Sequence, residues 1–230
     1  MKPGDVGRYV LLPGDPFRTD LIATYFDDAK LVAHNRELKT WTGTLNGEKV
    51  SVTSTGMGCA SAAITVEELI NIGADTFIRV GTAGPVGDAS KAADVNGVIC
   101  TGAVRDEGTT TQYVPEGYPA VANRYVVDAL AKGAKKLGYN YLEGITQSKD
   151  SFYGEVLPET SPWGDMLKMR WKAWEMSNVR ASEMEAAAIF VVSTIREARA
   201  SCIVSFKDIK ESIAVACEAL RILIELDKGE

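Results

Sequence analysis

Short runs rich in β-branched and aromatic residues alternate along this chain with segments whose apolar residues recur at helical spacing, and few folds accommodate that alternation. The β-type runs are Tyr9–Leu12, Lys49–Ser54, Thr76–Gly81, Gly97–Gly102, Glu143–Ser148 and Ala200–Phe206. Helical spacing covers Pro16–Tyr25, Ala60–Ile72, Asn123–Leu137, Ser182–Arg196 and Lys207–Leu226, the last with Ile209, Ile213, Cys217, Leu220 and Ile224 on one stripe. The pattern predicts a layered α/β fold. Arg36–Gly43 and Lys49–Ser54 flank Asn46-Gly47 and read as a hairpin, because Asn-Gly tolerates the positive φ of a type I′ turn. The sheet is therefore expected to be mixed.

No internal repeat and no Pro- or Ser-rich linker divides the chain, so residues 1–230 are expected to form a single domain. One junction is unusual. The strand ending at Phe206 runs into the helix beginning at Lys207 with no turn residue between, where such connections ordinarily take about 2 to 6 residues.

Composition narrows the partners. Apolar residues at 46% and charged residues at 24% are ordinary globular usage. A net charge of −6 and a pI near 5.0 argue against nucleic acid as a partner and leave small anions, held by local arginines. No apolar run reaches the roughly 18 residues of a membrane span, and Met1–Leu12 lacks a signal-peptide core, so no membrane partner and a cytoplasmic location are expected. Cys59, Cys100, Cys202 and Cys217 form no CxxC pair and read as buried thiols. With His34 as the single histidine, neither a His-based triad nor a multi-His metal site is indicated.

The chemistry rests on other side chains. Leu11-Leu12-Pro13-Gly14-Asp15-Pro16-Phe17-Arg18 places a glycine where a strand gives way to a helix. Backbone N–H groups and Arg18 there suit an anion, and a plain Gly-Asp-Pro turn accounts for the same residues. Arg79 sits inside the apolar strand that breaks into Gly81-Thr82-Ala83-Gly84. A buried guanidinium needs a carboxylate or a phosphate, and the strand alone does not choose. Ser54-Thr55-Gly56-Met57-Gly58 ends a third strand where backbone can approach a ligand, although close helix packing explains Cys59 and Ser61 as well. Ser182 and Glu185 fit a capping box, with Glu183 in the favoured first turn, while the apolar run after Glu185 also suits a carboxylate at the mouth of the core. Phe152 and Tyr153 form a pair suited to stacking on a planar base or to filling a core.

In order, Pro13-Gly14-Asp15-Pro16-x-Arg18, Asn35-Arg36-Glu37, Ser54-Thr55-Gly56-Met57-Gly58, Arg79-Val80-Gly81-Thr82-Ala83-Gly84, Asp150-Ser151-Phe152-Tyr153 and Ser182-Glu183-Met184-Glu185-Ala186 resemble the hexameric nucleoside phosphorylases, and within them the uridine phosphorylases most. The match runs from about Tyr9 to Phe206 and again through the last helix. The resemblance implies a three-layer α/β/α sandwich around a mixed, partly barrel-like β-sheet, assembled as a homodimer or homohexamer with active sites shared between subunits. It implies phosphate-dependent cleavage of a nucleoside to free base and ribose 1-phosphate, with inorganic phosphate as co-substrate and no organic cofactor. By the same resemblance Gly14, Arg18, Arg79 and Thr82 hold phosphate, and Arg36 reaches in from the adjacent subunit. Thr82, Met184 and Glu185 contact the ribose, Phe152, Tyr153 and Glu155 line the base pocket, and Arg79 and Glu185 carry the catalysis. Glu37, Met57 and Ser61 correspond to the family's potassium site between subunits.

The chain departs from that family in its base reader. The uracil-reading glutamine and arginine that follow the Phe-Tyr pair have no match in Gly154-Glu155-Val156-Leu157-Pro158-Glu159-Thr160. Glu155 can accept from the N3–H of uracil, but an ionised carboxylate donates nothing to a carbonyl. The family's N-terminal histidine has no match in Met1–Asp5, and its loop over the base pocket has no counterpart between Phe206 and Lys207. A purine nucleoside phosphorylase of the same fold, a nucleosidase and a non-catalytic nucleoside-binding protein therefore stay in view. Arg18, Arg36 and Arg79 weigh against the nucleosidase, which needs no phosphate. Arg79→Ala is expected to abolish phosphorolysis with the fold intact, and unchanged activity would remove Arg79 from the phosphate site.

Overall fold

Residues 1–87 and 92–229 are described by a computed structural model of the chain. Strand β1 (Tyr9–Leu12) is an unbroken apolar run, buried at every position as a central parallel strand must be. It pairs in parallel with β4 (Glu48–Thr53) on one side and β5 (Thr76–Thr82) on the other. β5 pairs in parallel with β11 (Arg199–Ser205), which is buried on both of its alternating faces beyond Arg199. Antiparallel pairing enters where β2 (Asp27–Asn35) meets β3 (Leu38–Leu45), where β3 meets β4, and where β7 (Gly97–Asp106) meets β11. With β9 (Tyr141–Lys149), β10 (Ala181–Glu183) and β6 (Gly84–Pro85), the order is β2-β3-β4-β1-β5-β11-β7-β9-β10-β6, and β8 (Ala120–Val121) pairs with β7.

Helices cover both faces of this mixed sheet. On the described residues α3 (Arg124–Leu137) packs with α7 (Ile209–Lys228), and α2 (Cys59–Asn71) packs with α6 (Ala186–Ile195); each pair lies against β11. The expected three-layer α/β/α arrangement follows. In α6 every residue from Ala186 to Ser193 is buried, as an all-apolar helix requires. The expected hairpin forms between β3 and β4, and Asn46 and Gly47 take φ of 48° and 75° at its turn. Among the described residues no helix is long and apolar enough to cross a membrane.

Two expected elements change. The segment Ser182–Arg196 is not one helix: Ala181–Glu183 pairs with β9 as β10, and α6 starts only at Ala186. The capping box of Ser182 with Glu185 is not formed. Instead Glu183 accepts from the backbone N–H groups of Glu185 and Ala186 at 2.8 and 2.9 Å, so an acid in the strand satisfies the helix donors. The direct junction between Phe206 and Lys207 is likewise revised. β11 ends at Ser205 and α7 starts at Ile209, leaving Phe206, Lys207 and Asp208 as the link. Asp208 caps α7 by accepting from the Lys210 N–H at 2.9 Å, so an aspartate supplies the turn that glycine or proline signals did not mark.

The last turn of α7 is fastened beneath β1. Asp227 accepts from the Tyr9 hydroxyl at 2.6 Å and from both terminal nitrogens of Arg199 at 2.9 and 2.5 Å. The Arg199 hydrogen bond leads in holding the Asp227 carboxyl below its ordinary range, and burial, with Asp227 next, pushes the Tyr9 hydroxyl up to about 12. A depressed carboxyl stabilises the fold above the ordinary aspartate range, and this contribution is lost as pH falls through the depressed value. Asp227→Asn is accordingly expected to cost about 1–3 kcal/mol near neutral pH. Denaturant titration should show that deficit shrinking below about pH 4; a deficit independent of pH would rule out the carboxylate as its source.

Candidate active site

β1, β4 and β5 run parallel, so their carboxyl ends lie together, and each gives way there to small residues. After β1, Pro13 and Gly14 lead into α1 (Pro16–Ala23), where Asp15 accepts from the Phe17 N–H at 2.9 Å and Pro16 occupies the first turn, which needs no N–H donor. After β4, Thr55–Gly58 leads into α2. The two loops clasp each other, Thr55 N–H donating to the Pro13 carbonyl at 2.9 Å and Gly56 N–H to that of Gly14 at 3.0 Å. Gly58, at φ 87°, holds a left-handed backbone that a side chain would strain, and its N–H donates to Glu185 Oε1 at 2.7 Å.

Arg79, 4% exposed in β5, meets the same point. Its Nε donates to Glu183 Oε2 at 2.8 Å, and one terminal nitrogen pairs with Glu185 Oε2. Glu183 Oε1 accepts from the Ser148 hydroxyl at 2.5 Å. The carboxylate alternative for Arg79 is thus realised twice over. Its other terminal nitrogen, Nη1, is buried with no hydrogen-bond partner among the described residues, so the pairing leaves one charged donor unsatisfied. Burial drives the Glu185 carboxyl above its ordinary range, with Arg79 opposing and Glu183 reinforcing the rise. Burial also acts to lower the Arg79 pKa, but Glu185 and Glu183 outweigh it and hold the guanidinium charged. The expectation that Arg79→Ala leaves the fold intact is corrected here: that variant strips two buried carboxylates of their shared counter-charge.

The other sequence-derived candidates sit in their own local settings. Arg18 lies in the first turn of α1, with Nε 3.9 Å from Asp15 Oδ2. Thr82 ends β5, exposed, beside Ser205 of β11. Met184 is half-buried between the two glutamates. Arg36 stands exposed at the turn between β2 and β3, with φ 55°. Its neighbour Glu37 comes together with Ser61: a Cβ on Gly56 would lie 2.6 Å from Glu37 Cγ and 3.0 Å from Ser61 Oγ. Met57, 85% exposed, extends away from any packing within the chain. Among the described residues no group of three or more His, Cys, Asp or Glu side chains is placed to hold a metal ion.

Phe152 and Tyr153 start α4 (Phe152–Val156), edge to face with centroids 5.6 Å apart, and are 52% and 68% exposed, so the core-packing alternative does not apply. Glu155 on the same helix accepts from Lys149 Nζ and meets the Ser182 hydroxyl oxygen, each at 2.5 Å. Ser182 precedes Glu183, so the aromatic end and the Arg79 end adjoin through β10.

Sequence reading missed the wall opposite. A cavity of about 300 Å³ beside Glu155 is bounded by Asp106 at the end of β7, Gln147 and Lys149 at the end of β9, and Arg170 and Trp174 of α5 (Gly164–Met176). Lys149 alone carried a signal, since a lysine ending the uncharged run Gly144–Ser148 needs an acid if buried, and it is 6% exposed. In α5 only Gly164 is buried, so the helix has no apolar stripe to detect.

Residues 8–219 match the family model of the phosphorylase superfamily. The chain is 43% identical to a uridine phosphorylase of Treponema pallidum, the match covering 99% of this chain and 93% of that protein. It is 42% identical to a uridine phosphorylase of Thermococcus kodakarensis, over 99% of this chain and 86% of that protein. A guanosine phosphorylase of Halorubrum lacusprofundi is 37% identical, over 88% of this chain and 79% of that protein. A mixed sheet layered between helices, loops gathered at its parallel strand ends and matches of this extent agree: the chain belongs to the phosphorylase superfamily.

Proposed function

We propose that this chain, acting as one domain in the cytoplasm, uses inorganic phosphate to cleave the glycosidic bond of uridine, releasing uracil and ribose 1-phosphate. The observation that carries this reading is the convergence of the Gly14 loop, the Gly58 loop, Arg79 and Glu185 at one set of parallel strand ends, in a chain so similar to uridine phosphorylases. Gly14, Arg18, Arg79 and Thr82 hold the phosphate, the buried Nη1 of Arg79, without a partner among the described residues, being a donor suited to one of its oxygens. Arg36, exposed at its turn, adds a third guanidinium from a neighbouring copy in a homo-oligomer. Thr82, Met184 and Glu185 hold the ribose, and Phe152, Tyr153 and Glu155 hold the base.

Chemistry follows from position. As the bond from the ribose to the base breaks, the base leaves with the electron pair and the sugar gains oxocarbenium character; a phosphate oxygen fixed on the opposite face closes the new C–O bond. No protein nucleophile is needed. Glu185 anchors the ribose hydroxyls through charge-assisted acceptance, and its buried setting strengthens that hold. Glu37, Met57 and Ser61 would hold a potassium ion, Glu37 and Ser61 bringing oxygens together against Gly56, and the ion would steady the loop that carries Gly58. The guanosine phosphorylase relative favours a second reading, a purine nucleoside as substrate of the same site.

A panel of nucleosides assayed with and without phosphate decides among these readings. Phosphate-dependent release of uracil from uridine is expected; base release without phosphate would replace the reading by a nucleosidase, and binding without turnover by a nucleoside-binding protein. Glu185→Gln should lower kcat about 10- to 100-fold, the worth of a hydrogen bond to a charged group, and normal turnover would take Glu185 out of the site. Arg79→Ala should cost about 3–5 kcal/mol of stability as well as activity, read by denaturant titration.

A further inference from the structure

The cavity beside Glu155 has a polar wall whose members hold one another in a continuous line. Arg170 of α5 pairs with Asp106 Oδ1, and Asp106 Oδ2 accepts from Gln147 Nε2 at 2.6 Å. Ser182 Oγ accepts from Lys149 Nζ at 2.6 Å and lies 2.6 Å from Gln147 Oε1 and 2.5 Å from Glu155 Oε2, so its one proton goes to either acceptor. Gln147, Lys149 and Ser182 are all buried. A polar line buried at its middle and open at Arg170 is a poor source of stability, because desolvation offsets most of its attraction, so its placement on a cavity wall points to recognition. The cavity also borders Trp174, whose indole N–H is buried without a partner among the described residues.

Resting on the reading of Glu155, which shares this cavity with Arg170, as a base-contacting residue, we propose that Arg170, supplied by α5 and aimed by Asp106, is a specificity-determining residue that donates to a base carbonyl while Glu155 accepts from the adjoining ring N–H. The guanidinium missing after the Phe-Tyr pair is thus recruited from a helix further along the chain. Asp106 occupies one edge of the Arg170 fork, and a planar guanidinium has further N–H groups to offer. Lys149 pairs with Glu155, and a carboxylate offers acceptors only. A ring N–H next to a carbonyl, the lactam edge of uracil and of 6-oxopurines, satisfies both groups. Cytosine and adenine present a ring lone pair to the carboxylate and an amino group to the guanidinium, so both contacts become repulsive. One wall therefore serves the oxo bases of both ring sizes and rejects the amino bases of both.

Steady-state phosphorolysis of uridine, inosine, cytidine and adenosine by the wild type, Arg170→Ala, Arg170→Lys and Glu155→Gln tests this. Both Arg170 variants should lose about 10- to 100-fold in kcat/KM for the oxo nucleosides, with KM for phosphate unchanged. Arg170→Lys keeps the charge opposite Asp106 and so separates base reading from mere anchoring of α5. Glu155→Gln, whose amide also donates, should narrow the oxo-over-amino preference by about tenfold or more. Full kcat/KM in both Arg170 variants, or an unchanged preference in Glu155→Gln, overturns the assignment while leaving phosphorolysis standing. If the wild type cleaves no nucleoside with phosphate, the underlying reading falls instead. Uracil and hypoxanthine binding, followed by the fluorescence of Trp171 and Trp174, then decides Arg170 alone: weaker binding by its variants supports the role, and equal binding ends it.

Discussion

The buried ion pairing of Arg79 with Glu183 and Glu185 is the interaction on which the rest of the site depends. One guanidinium in the middle of the sheet joins β5 to the start of α6, and Glu185 extends the link to the Gly58 N–H at the start of α2. Glu183 serves twice, pairing with Arg79 and receiving the first N–H donors of α6. Such a cluster contributes little net stability after desolvation; its value lies in fixing three elements in one geometry, since breaking any member strands a buried charge.

Parallel pairing of β1, β4 and β5 makes that geometry useful. Strands that run the same way end at the same edge, and in open α/β sheets that edge is where loops and helix starts can surround a ligand. The clasp between Pro13-Gly14 and Thr55-Gly56 is main chain to main chain, which explains why small residues are placed there. At the other end of the same region β10 brings Ser182 next to Glu155 and Lys149, so the acidic pocket around Arg79 and the polar wall under α5 share one short strand.

How much was legible depended on whether a signal was local. Tyr9–Leu12 and Asn46-Gly47 declared themselves, because burial on both faces and a type I′ turn leave their marks on adjacent residues. Ser182–Glu185 misled for the same reason: Ser-x-x-Glu is a local signature of a helix start, whereas strand β10 is selected by pairing with β9 and by Arg79, far away in sequence. The ambiguity at Arg79 between carboxylate and ligand was real, since the structure gives it two carboxylates and still leaves Nη1 without a partner among the described residues. Arg170 and Asp106 were invisible, as neither breaks a pattern in its own element and their pairing spans distant parts of the chain. The order of the motifs nevertheless carried the family, because several weak signals in one sequence order are far more specific than each alone.

The link of Phe206, Lys207 and Asp208 between β11 and α7 bears on how the site keeps out water. It lies next to Thr82, where β5 and β11 end together, and it is too short to fold over anything. That link forms no flap over the ends of β5 and β11. Beside the cavity near Glu155 stand α4 and α5, which hold mainly to each other and to the turn Pro158–Thr160 between them. How dry that cavity stays depends on how firmly this small helical group is seated, and the Arg170–Asp106 pair joins it to the end of β7.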